Sequence, residues 1–82
     1  MILIGVEIGH NEPTTVVIVR PNDKNNRFTF LSIPAGTEFE RVLFKVADLV
    51  DGLGAKPENV CAPRDPAFQQ AVIDYFKRGE RK

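Results

Sequence analysis

The stretch from Met1 to Arg20 constrains the fold more than any other. Ile2, Ile4, Val6 and Ile8 alternate with Leu3, Gly5, Glu7 and Gly9, and a repeat of two residues turns one fully apolar face of a strand toward a core. Gly9-His10-Asn11-Glu12-Pro13-Thr14 is turn chemistry, and Thr15 to Val19 resumes as a second, more apolar strand. Together they predict a hairpin in the middle of a sheet. Glu7 is the one charged residue inside the first strand, so any chemistry of this frame begins there.

The remaining elements follow from turn residues and apolar spacing. Pro21 to Asn26 is a run of turn formers, and Arg27 to Ile33 is a third strand with Phe28 and Phe30 on one face, Leu31 and Ile33 on the other. Pro34, Ala35 and Gly36 end it. Thr37 opens a helix with a capping box, its hydroxyl meeting the amide three residues on while Glu40 reaches back to the Thr37 amide. Phe39, Val42, Leu43, Val46, Leu49, Val50 and Leu53 then form one apolar stripe, and Gly52 and Gly54 mark its end. Val60-Cys61-Ala62 reads as a short buried strand, with Cys61 a small buried hydrophobe. Asp65 and Pro66 supply the N-cap and first position of a second helix. Its inward face is Phe68, Ala71, Val72, Tyr75 and Phe76, and Gly79 is its natural stop.

The order is β-β-β-α-β-α. A helical crossover from the third strand returns the fourth in the parallel sense, so the expected fold is a small α/β (α+β) domain over residues 1–82: a mixed, mostly antiparallel four-stranded sheet with two helices. Residues 77–82 form a basic C-terminal tail.

Composition narrows the function classes. A chain of 82 residues buries only roughly 60–65% of its unfolded surface, which makes help from a partner subunit plausible. Formal net charge is zero, which argues against a general binder of nucleic acid or anionic membrane. The N-terminus has no basic leader and is broken by Gly5 and Glu7, so it is a strand rather than a signal peptide. No apolar run approaches the roughly 20 residues that span a bilayer. Cys61 is the single cysteine and forms no intrachain disulfide. A soluble, cytoplasmic protein without membrane partners is the expectation.

Two surfaces stand out. Val16, Val17, Ile18 and Val19 make both faces of the second strand apolar, whereas two helices cover one face of a four-stranded sheet. Either the closing helix crosses to the second face or another molecule covers it. On the first helix, Phe44 falls beside Glu40, Arg41, Asp48 and Asp51, away from the apolar stripe, as an anchor for a partner or a singly exposed aromatic. Ile73 is similarly off the face of the second helix. Val17, Val19, Phe44 and Ile73 are therefore the candidate interaction residues.

Gly5-Val6-Glu7-Ile8-Gly9 resembles the first strand of the ribonuclease H-like superfamily, in which an apolar-Gly-apolar-Asp-apolar-Gly strand carries an acidic residue, and the βββαβα order resembles the start of that fold. For the nuclease branch, the resemblance implies a mixed sheet whose acidic residues bind two divalent metals, Mg²⁺ or Mn²⁺, for phosphodiester cleavage. Glu7 matches the first-strand acid, Glu40 lies in the first helix and Asp65 follows the fourth strand. Glu stands where Asp is usual, and the fifth strand and final helix of that fold have no counterpart here. Independently, Glu7, His10 and Glu12 are a candidate metal set by donor chemistry. Arg20, Lys24 and Arg27, with Lys77 and Arg78 of the tail, are candidate nucleic-acid contacts.

The leading expectation is a small intracellular interaction module, more a binding protein than an enzyme, that self-associates or docks on another protein and needs no cofactor. The alternative is a minimal or degenerate ribonuclease H-like metal nuclease or nucleic-acid-binding domain.

Overall fold

The computed structural model describes residues 1–21 and 27–78. β1 (Leu3–Glu7), β2 (Thr14–Arg20), β3 (Arg27–Ile33) and β4 (Val60–Cys61) form one sheet in the order β3-β2-β1-β4. β1 and β2 are the central pair, antiparallel to each other; β3 runs antiparallel to β2, and β4 parallel to β1. The chain thus folds as a small mixed α/β sheet with two helices, in the order expected. The connection from β3 to β4 must pass the full width of the sheet, and α1 (Phe39–Leu53) makes that passage. A short 3-10 turn at Pro57–Asn59 leads into β4, and α2 (Pro66–Lys77) closes the chain.

Both helices lie on the same side of the sheet. Ile4, Val6, Val16, Ile33 and Val60 pack there against Val42, Val46 and Val50 of α1 and Phe68 and Val72 of α2. Phe68 is the largest fully buried side chain, and Phe39 at the start of α1 stands edge-on to it with ring centroids 5.5 Å apart. The Gln69 side-chain carbonyl accepts from the Ala62 amide at 3.1 Å, tying the exit of β4 to α2. Gly54 stops α1 in the left-handed conformation (φ 68°), its amide and that of Ala55 donating back to Asp51 and Val50.

Several local expectations differ from the structure. Thr37 does not cap α1: its hydroxyl donates to the Pro34 carbonyl at 2.6 Å, held in the turn after β3 rather than placed to accept from the first-turn amides. The helix begins two residues later with Glu38 at the N-cap and no side-chain cap, so Glu40 has no box to close. Asp65 and Pro66 occupy the expected positions of α2, yet the Asp65 carboxylate makes no capping bond; its backbone carbonyl accepts from Phe68 and Gln69. Cys61 is exposed rather than buried. It pairs with Gly5 on the side of the sheet away from the helices, so only its neighbours Val60 and Ala62 enter the core. Lys24, most of the turn expected over 21–26, and Gly79 with the rest of the basic tail lie outside the described residues.

Candidate functional site

The ladder register sorts every strand residue to one side of the sheet. Leu3 pairs with Val19 and Val19 with Phe28; Gly5 pairs with Val17 and Val17 with Phe30; Glu7 pairs with Thr15 and Thr15 with Ser32. Partners across a ladder share a face, so these three rows, with Cys61 beside Gly5, make up the side opposite the helices. Among the described residues no element covers it. Phe28 is 56% and Phe30 68% exposed, and Val17 and Val19 are half-buried. Of the two ways to cover the second face, the closing helix is excluded, since α2 packs beside α1. Val17 and Val19, the candidates on β2, both lie on this face. Leu3, Phe28 and Phe30 belong to the same surface but escaped the sequence reading. The alternation of β3 held the signal, since Phe28 and Phe30 share one face with each other and, through the hairpin register, with Val17 and Val19.

A second, polar feature sits where β1 and β4 end. A cavity of about 600 Å³ is lined by Glu7, His10, Glu12, Arg64 and Asp65 with the intervening loop. Glu7 and Arg64 face each other at 3.5 Å, both largely exposed, so solvent screens the pair heavily. Arg64 was not singled out by sequence; it is held there by the turn that follows β4. The loop is pinned internally, with the Gly9 amide donating to the buried Thr14 hydroxyl at 3.2 Å. Glu40 does not join this cleft. It lines a separate groove between α1 and α2, so the three acids suggested by the ribonuclease H-like resemblance are divided between two places. Among the described residues no three His, Cys, Asp or Glu side chains are placed to hold a metal ion. Neither Glu7, Glu40 and Asp65 nor Glu7, His10 and Glu12 is gathered into such a group.

No family model, curated protein or solved structure matches the chain.

Phe44 is 46% exposed, but it is not isolated among charges. Its ring lies 5.7 Å from that of Tyr75, because α2 packs close enough beside α1 to reach the flank that a helical projection assigns to solvent. Both rings line the groove that holds Glu40, Asp74 and Arg78. Ile73 is half-buried in a separate groove with Pro57, Glu58 and Phe76. The basic candidates fall at the end of the sheet away from the cleft: Arg20 pairs with Arg27 where β2 ends and β3 begins. The start of α2 shares the cleft with the end of β1, while its last turns lie near Pro57 and Glu58, just before β4. Lys77 lines the groove with Pro57 and Glu58, whereas Arg78 lines the groove of Glu40 and Phe44. No helix among the described residues is long and apolar enough to cross a membrane.

Proposed function

We propose that this chain is a small interaction module that associates with a second copy of itself through the open side of its sheet. The observation that carries the reading is that face: two of its three rows are apolar and both helices are on the other side. At their observed exposures, Phe28 and Phe30 alone present on the order of 200–300 Å² of aromatic surface. With Leu3 and the two valines, the patch reaches on the order of 400 Å², the upper end of what a monomer leaves exposed. Two such faces pressed together bury roughly 800–1,000 Å² in total, which places the complex among small, reversible interfaces. Zero net charge removes long-range repulsion between copies. The exposed thiol of Cys61 fits a reducing compartment, and we propose the cytoplasm.

The test is the thermal unfolding midpoint as a function of protein concentration, since association of folded chains stabilises them by mass action. The expected result is a midpoint that rises with concentration in the native chain and is independent of it in Val17→Lys, which puts a charge at the centre of the face. A midpoint independent of concentration in the native chain would contradict self-association.

A further inference from the structure

Gly5 lies in the middle of a central strand, where glycine weakens pairing and leaves a gap in packing. Among the described residues, neither backbone nor space explains it. Gly5 has no positive φ, and a Cβ built there meets nothing closer than the Val17 carbonyl oxygen at 4.0 Å. A larger residue would therefore fit the isolated molecule. A strand glycine with that freedom marks the close approach of something from outside. Its row reads Cys61, Gly5, Val17, Phe30 across the open face: a hollow two strands away from the most exposed aromatic ring of the sheet.

We propose that the second copy packs face to face about a two-fold axis running along β2, so that Phe30 of each copy seats over Gly5 of the other. This rests on the self-association proposed above and specifies its geometry. Such an axis lays β2 over β2, and β3 of each copy over β1 of its mate. Each row then meets the same row of the other copy. Phe30 fills the hollow at Gly5, Leu3 meets Phe28, and Glu7 meets Ser32, so no charge opposes a like charge. The contact is isologous and closes as a dimer, and it keeps the strands of the two sheets nearly aligned, the usual arrangement of packed sheets. A two-fold axis across the strands also closes as a dimer, but it places Phe30 on Phe30, leaves Gly5 facing Gly5, and buries Glu7 against Leu3.

The experiment measures the dimer dissociation constant by sedimentation for four chains: native, Gly5→Val, Phe30→Ala and the double variant. Valine favours strands, so Gly5→Val stays folded, with an unfolding midpoint at low concentration no lower than that of the native chain. It fills the hollow and weakens the dimer by about 30-fold or more. Phe30→Ala empties the seat from the other side and also weakens the dimer. The double variant regains at least about tenfold relative to Gly5→Val, because the valine then faces the space the ring has left. Equal affinity in native and Gly5→Val chains would overturn this geometry while leaving self-association standing. Purely additive losses in the double variant would also overturn the seat. A native chain that stays monomeric at every concentration would overturn the geometry together with the reading on which it rests.

Discussion

A Cβ at Gly9 would clash with the Glu12 carbonyl oxygen and lie 2.7 Å from that of Pro13. Both are backbone atoms of a loop already pinned by the bond between Gly9 and Thr14, so neither can yield cheaply. Gly9→Ala is expected to destabilise the fold by about 2–3 kcal/mol, read as a lower urea midpoint. A change within about 0.5 kcal/mol would show that the loop moves freely. Gly5, four residues earlier, has room for a side chain, which is why the open space above it points outward. Glu7 presents the other question at this scale. Its pairing with Arg64 is exposed on both sides and contributes at most about 1 kcal/mol, and the acids near it do not converge on a metal. Titrating Mn²⁺ is therefore expected to leave the unfolding midpoint unchanged in the native chain and in Glu7→Gln. A rise in the native chain that disappears in the variant would put a metal at Glu7 and revive the nuclease alternative.

At the scale of elements, α1 is held by its apolar face rather than by its ends. Glu38 occupies the N-cap in an extended conformation (φ −63°, ψ 148°) with no side-chain bond to the first turn. Glu38→Ser is expected to add about 0.5–1 kcal/mol, which for a domain of this size raises the unfolding midpoint by about 2–8 °C in calorimetry; no rise would mean that the first-turn amides are already satisfied. The same element shows what the sequence could and could not disclose. The stripe from Val42 to Val50 and the stop at Gly54 were legible because periodicity and left-handed glycine are local properties. The missing cap was not, because the Thr37 hydroxyl can either accept from the first-turn amides or sit in the preceding turn and donate to Pro34, and the turn made the choice. The strands and their succession along the chain were legible from alternation, turn residues and a short apolar run, whereas the fate of Cys61 and the packing of Phe44 on Tyr75 depended on which side of the sheet the last helix chose. The three candidate acids were separable only once α1 had been placed, since Glu40 faces the α2 groove rather than the end of β1.

At the scale of the molecule, the one-sided stacking of both helices leaves a sheet with a core on one side and two apolar rows on the other. A domain of 82 residues has little stability in reserve, and covering that second side with a like surface removes apolar area from water on both copies at once. The groove beside Phe44 lies on the helix side, so association through the sheet leaves it open, whereas the cleft at the end of β1 shares Glu7 and Thr15 with the open face. Central to this account is that the open face is where the chain meets its own copy. Equilibrium sedimentation across roughly two decades of concentration tests it most directly: the native chain is expected to pass from the monomer mass to twice that mass, and Val17→Lys to remain monomeric throughout. A native chain at the monomer mass over the whole range, or a Val17→Lys chain that doubles alongside it, would contradict the account.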